Sequence, residues 1–165
     1  MRKRKWNVGR LLSGVMALLG FAGCNNGDEP CLYGSPSVDY RVLGTVTDNE
    51  GKPLEGIQVV VDNPGALTYY DKNGIIVKDK YESGKLTPDT VYTDKNGKFS
   101  SYKVEAFSDL KLVVEFHDID GEANGGEFQS ERFTKDKLDK KQLKKGNGWY
   151  EGEFEYSKTV KLERK

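Results

Sequence analysis

The chain has 165 residues, with 26 basic and 26 acidic side chains and a formal net charge of zero. That balance gives no electrostatic footprint for nucleic acid. Two cysteines and one histidine exclude both a disulfide-built scaffold and a zinc site of the Cys/His kind.

The first elements read from the N-terminus are a charged and then an apolar segment. Arg2, Lys3, Arg4 and Lys5 make a cationic start, residues 8–22 are mostly apolar, and Phe21-Ala22-Gly23-Cys24 closes the run. Charged, apolar and small-residue sections in that order are the layout of a secretory signal. The apolar run falls short of the roughly 20 residues that a spanning helix needs. With Cys at the cut, the segment resembles a bacterial lipobox, Phe21 standing where Leu is usual. The resemblance implies that Cys24 carries a diacylglycerol, that residues 1–23 are removed, and that the new amino group is acylated. Each buried methylene contributes about 0.8 kcal/mol, and one chain alone anchors only marginally, whereas three make attachment effectively permanent. The expectation is an outer-membrane lipoprotein on the periplasmic or cell-surface side. Residues 1–23 hold five cations and no acids, so the mature part keeps 21 basic against 26 acidic residues, near −5.

Residues 24–38 read as a tether, rich in Gly, Pro, Asn and acids and without periodicity. Once Cys24 is acylated, Cys31 is the lone thiol in an oxidising compartment. It sits two residues from Tyr33 in a segment an enzyme can reach, which makes Cys31 and Tyr33 candidate modification sites. Asp28 and Glu29 resemble an acidic surface-export signal, with Asn25-Asn26-Gly27 intervening.

From 39 to 165 the chain reads as strands. Residues 40–47 are rich in β-branched side chains and end in the turn formers Asp48-Asn49-Glu50-Gly51-Lys52-Pro53. Ile57, Val59 and Val61 share one face by period two. Short candidates follow at 75–77 and 90–93. Asp94-Lys95-Asn96-Gly97 is a strong turn. Residues 98–107 resume a strand whose inward parity slips between Phe99 and Val104, so a bulge is expected near Ser100-Ser101. Leu110, Leu112, Val114 and Phe116 alternate with Lys111, Val113, Glu115 and His117, and 126–134 and 154–162 complete the set. Residues 135–145, with six Lys and only Leu138 and Leu143 as apolar anchors, read as a solvated short helix or loop. About seven short strands with Gly/Asn turns and almost no helical periodicity predict an all-β, single Greek-key β-sandwich.

Gly44-Thr45-Val46-Thr47-Asp48, Gly51-Lys52-Pro53-Leu54-Glu55-Gly56-Ile57 and Thr93-Asp94-Lys95-Asn96-Gly97-Lys98-Phe99 together resemble the carboxypeptidase-regulatory-like domain. That implies a transthyretin-like (prealbumin-like) sandwich of seven strands, usually a structural or adhesion module. Nearly the whole chain is similar to a family of lipoproteins encoded beside radical SAM enzymes. That second resemblance rests on Cys24, Glu29-Pro30-Cys31-Leu32-Tyr33-Gly34-Ser35-Pro36 (Ser35 where Thr is expected), the Gly44-Thr45-Val46 strand and residues 118–126. It implies genomic association with such an enzyme.

Three functions follow. The first is a membrane-anchored, non-catalytic binding or display module, with a peptide or glycan ligand and no cofactor. In the second, the tether around Cys31 and Tyr33 is the substrate of the co-encoded radical SAM enzyme. The third is a carbohydrate-active enzyme, for which the scattered acids offer no selectable acid–base pair. His117 falls at an outward strand position with no Gly-x-Ser-x-Gly elbow to serve. Asp118, Asp120, Glu122 and Asn124 could offer oxygens to Ca²⁺, but EF-hand spacing is absent. Trp149, Tyr150, Phe154, Tyr156, Tyr69, Tyr70 and Tyr81 form either an aromatic platform or ordinary strand packing.

Overall fold

The computed structural model describes residues 34–82 and 85–165, and the strand reading holds across most of them. Strand β1 (Ser37–Asp48) buries Val38, Tyr40, Val42 and Val46 at alternate positions, as a pleated strand with one face on a core requires. It is the centre of a six-stranded sheet. On one side it runs parallel to β12 (Tyr150–Leu162), and β11 (Asp139–Asn147) pairs antiparallel beyond that. On its other side β8 (Lys103–Phe107) and β7 (Lys98–Ser100) pair with successive parts of β1, and β3 (Ala66–Tyr70) lies outside β8.

The second sheet is antiparallel, in the order β10 (Glu131–Thr134), β9 (Val113–His117), β2 (Gln58–Asp62), β6 (Asp89–Tyr92). β4 (Tyr81–Glu82) and β5 (Lys85–Leu86) make a small hairpin. Apolar residues of both sheets meet in one core: Val59, Val61, Val114 and Phe116 from the second, with Tyr40, Val42, Val104 and Tyr156 from the first. Phe116 is its hub, edge-on to Phe99 at 5.5 Å and to Phe133 at 5.9 Å. The protein is an all-β sandwich.

The two motif segments are one structural unit. Asp48 Oδ1 accepts the Glu50 and Lys52 amides and closes the first turn, while Asp94 Oδ1 accepts those of Asn96 and Lys98. The turns are joined because the Gly97 carbonyl accepts the Val46 amide at 2.8 Å. Buried Thr93 completes the join, its hydroxyl donating to Leu54 O at 2.7 Å and accepting from Ile57 N at 3.0 Å. Gly97 sits at φ 70°, where a side chain is strained.

Four expectations need correction. Residues 135–145 are not a helix or plain loop. After a 3-10 turn (Lys135–Lys137) they enter edge strand β11, every residue of which is exposed, so no alternation could show in the sequence. Residues 75–77 form no strand: Ile76 makes only an isolated bridge to Tyr70, and Ile75 is 64% exposed. Of 126–134 only the last four residues are strand, with an isolated bridge from Phe128 to Arg164 before them. The two sheets hold ten strands among the described residues, more than the seven or so expected. β3 and β11 are additional, and the anticipated slip divides 98–107 into β7 and β8. Ser101 fills that break, its hydroxyl accepting the Val42 amide at 2.9 Å.

Candidate binding face on the six-stranded sheet

The outer face of the larger sheet carries an unusual row. Asp39 of β1 is in register with Glu153 of β12 on one side and with Glu105 of β8 on the other. Three carboxylates thus stand side by side across three strands, where like charges directly opposite are destabilising. Lys103 is the cation set among them, its ammonium 2.9 Å from Asp39 and 3.6 Å from Glu153. One row further along, Arg41 is in register with Glu155 and meets it at 2.8 Å.

Two phenols complete the face. Tyr70 donates to Glu105 at 2.9 Å, and Tyr150 donates to Asp39 at 3.1 Å. The Lys103 ammonium lies 5.9 Å from the Tyr70 ring centre. Around them are two shallow depressions, one of about 340 Å³ between Asp39, Tyr70, Lys103, Glu105 and Tyr150, the other of about 660 Å³ toward Arg41, Ser101 and Tyr102. Tyr70 and Lys103 border both. With two carboxylates, Asp39 and Glu105, against one ammonium, the first depression is rich in hydrogen-bond acceptors.

The electrostatics follow from this geometry. Burial, then the charge and hydrogen bond of Asp39, push Tyr150 up to about 12. The hydrogen bond to Glu105 is the main cause that raises Tyr70. Partial burial pulls Lys103 down, but Asp39 and Glu153 outweigh it and hold the ammonium above its usual range. Beneath the face, burial pushes Tyr69 up to about 12. A phenol whose folded pKa exceeds its ordinary 10.0 contributes stability fully present below pH 10 and lost as pH rises through the folded value. Alkaline unfolding is therefore expected between pH 10 and about 12, with tyrosinate absorbance rising together with loss of the β circular-dichroism signal. Tyrosinate that appears in full near pH 10 while the fold persists would contradict it.

The aromatic set divides between the two readings. Tyr69, Phe154 and Tyr156 are buried strand packing, whereas Tyr70 and Tyr150 belong to the face and Trp149 is exposed at the β11–β12 turn. His117 lies on β9, 3.2 Å from the Ser130 hydroxyl and 3.4 Å from Glu115. In the acidic loop, Asp118 accepts the Phe128 amide at 2.8 Å and the Asp120 amide at 3.3 Å, and Asn124 falls in the 3-10 turn Ala123–Gly125. Among the described residues no three Cys, His, Asp or Glu side chains are grouped to hold a metal ion. Cys24, Cys31 and Tyr33, like the side chains of Tyr81 and Asn124, lie outside the described residues. Among the described residues no helix is long and apolar enough to cross a membrane. The carboxylate row escaped sequence reasoning because its members are separated by up to 114 residues and meet only through strand register.

No family model and no curated protein matches the chain. Among solved structures it is similar to 3-chlorocatechol 1,2-dioxygenase from Rhodococcus opacus 1CP, at 15% identity over 80% of this chain and 61% of that one, TM-score 0.45. Hydroxyquinol 1,2-dioxygenase from Pseudomonas putida DLL-E4 shares 12% identity over 100% of this chain and 78% of that one, TM-score 0.43. The C-terminal domain of a shaft pilin from Lactobacillus rhamnosus GG shares 18% over 72% and 97%, TM-score 0.33. The chain thus spans 61% of the length of the first of these. At these values no activity passes from them to this chain.

Proposed function

We propose that this chain is a non-catalytic binding module, anchored in the outer membrane through acylated Cys24 and acting with a radical SAM enzyme encoded beside it. The observation that supports binding is the Glu153–Asp39–Glu105 row. A sheet face selected only for stability places opposite charges across strands, and a like-charge row costs roughly 0.2–1 kcal/mol per pair. Such local conflict is characteristic of functional surfaces. The row's spare lone pairs accept from a donor-rich ligand, the hydroxyls of a glycan or the ammonium and guanidinium groups of a basic peptide, while Tyr70 and Tyr150 offer edges and faces to stack against.

Two measurements test this reading. Wild-type protein should enter the detergent phase in a phase-partition assay and Cys24→Ser should remain aqueous; equal partitioning removes the anchor. Titration with chitosan oligosaccharides, neutral cello-oligosaccharides and oligolysine should show binding to at least one. Glu153→Gln should weaken that binding while leaving stability unchanged or raising it by a few tenths of a kcal/mol, as relief of a like-charge contact does. A variant that loses stability and keeps full binding assigns the row to structure.

The second reading, modification at Cys31 or Tyr33, is favoured by the thiol left alone once Cys24 is acylated. The intact mass of native protein should then differ from that of protein made without the neighbouring enzyme, and identical masses eliminate it.

A further inference from the structure

The sandwich has one end at which the chain enters, and that end carries its own surface chemistry. Ser37, the first residue of β1, donates its amide to the Trp149 carbonyl at 2.8 Å and is in register with Phe107 of β8 on the other side. Ser108 N donates to Pro36 O at 3.0 Å, fixing the preceding residue as well. Trp149 is 42% exposed and Phe107 41%. Two large aromatic side chains therefore flank the point where the anchor segment joins the fold. Lys144 and Lys145, both exposed, follow on β11 just before the same turn, in register with Glu153 and Gly152.

Chain length decides what this end can reach. The thirteen residues from Cys24 to Pro36 span at most about 45 Å even when fully extended. β1 runs away from its first residue for twelve residues, about 40 Å at strand rise. The entry end is joined directly to the anchor and can meet the bilayer at any tether extension, whereas the far end of β1 meets it only with the tether almost fully extended. At such an end a weak surface contact is strengthened by effective concentration, so two aromatic side chains suffice where a free protein would need many. Indole is the side chain that settles at the headgroup level, and lysines beside it reach lipid phosphates.

We propose that the end of the sandwich bearing Phe107, Trp149 and the β11–β12 turn rests in the headgroup layer of the membrane that holds Cys24, with Lys144 and Lys145 against the phosphates. This rests on the anchored reading above. It adds that the domain is docked in a defined orientation, with its entry end against the lipid.

The mature chain offers its own probe, because removal of residues 1–23 takes away Trp6 and leaves Trp149 as the sole tryptophan. The native acylated protein is reconstituted into phosphatidylcholine–phosphatidylglycerol vesicles with and without acyl-chain-brominated lipid. Trp149 emission should shift to the blue and lose most of its intensity in the brominated vesicles. Lys144→Glu/Lys145→Glu and, separately, Phe107→Ser should stay vesicle-bound through the acyl chains yet recover much of that emission. Protein that co-floats with vesicles while its emission is unmoved overturns the docking and leaves the anchor standing. Protein that fails to co-float overturns both. Emission indifferent to bromine but dependent on protein concentration assigns this end to a second copy of the chain instead.

Discussion

Gly44→Ala is expected to destabilise the fold by at least about 3 kcal/mol, the upper end for overpacking, and to leave much of the protein unfolded or insoluble. Gly44 lies at an inward position of the central strand, between Lys158 of β12 and Phe99 of β7. A Cβ there falls well inside contact distance of the Lys158 carbonyl oxygen and 2.9 Å from Phe99 Cε1. The first obstruction is backbone of a parallel partner strand and cannot swing aside. Phe99→Leu should therefore fail to rescue Gly44→Ala, and urea titration of the single and double variants reads both results. A Gly44→Ala protein with a wild-type midpoint would mean that β1 and β12 do not pair in this register. The Gly44-Thr45-Val46 motif thus has a physical cause in close strand approach.

Lys80→Met is expected to cost about 3–5 kcal/mol, the usual result of stranding a buried charge. In a domain of this size that lowers the melting temperature by on the order of 10–20 °C. Asp89 opens β6 with no exposed surface. Its Oδ2 accepts the Tyr102 amide at 2.7 Å, and its Oδ1 meets the Lys80 ammonium at 3.1 Å as an ion pair without hydrogen-bond alignment. The same ammonium lies 5.6 Å from the Tyr102 ring centre. One buried carboxylate therefore ties the second sheet to the break between β7 and β8, directly under the larger depression of the candidate face. Lys80→Met/Asp89→Asn should recover a good part of the loss, because the amide oxygen still accepts from Tyr102 and no charge is left unpaired. Equal melting temperatures for the single and double variants would show that the ion pair contributes little.

How much was legible depends on whether a signal is local. The inward faces of 57–61 and 110–116 could be read because period-two alternation is a property of consecutive residues, and 40–47 was legible as a strand from its β-branched composition. Asp48, Asp94 and Gly97 were legible as turn chemistry, whereas Thr93 was legible only as the end of a short strand, and that it joins the two turns emerged only from the packing. β3 and β11 were not legible. Ala66–Tyr70 has one buried residue, and Asp139–Asn147 has none, so pairing with a neighbour is all that makes either a strand. The aromatic residues were visible as a set, but their sorting into buried Tyr69 and Tyr156 and face-forming Tyr70 and Tyr150 depends on the direction each strand turns its side chains.

By itself, the sequence determined that this is a chain of strands and turns, because alternation and turn residues act over a few neighbouring positions. Only the tertiary structure decided that β1 lies parallel to β12, that Glu153, Asp39 and Glu105 share one row, and that Phe107 and Trp149 flank the chain's entry. Those juxtapositions come from hydrogen-bond register between segments about a hundred residues apart. Register is settled by which faces the core must bury, and no stretch of either segment carries it alone.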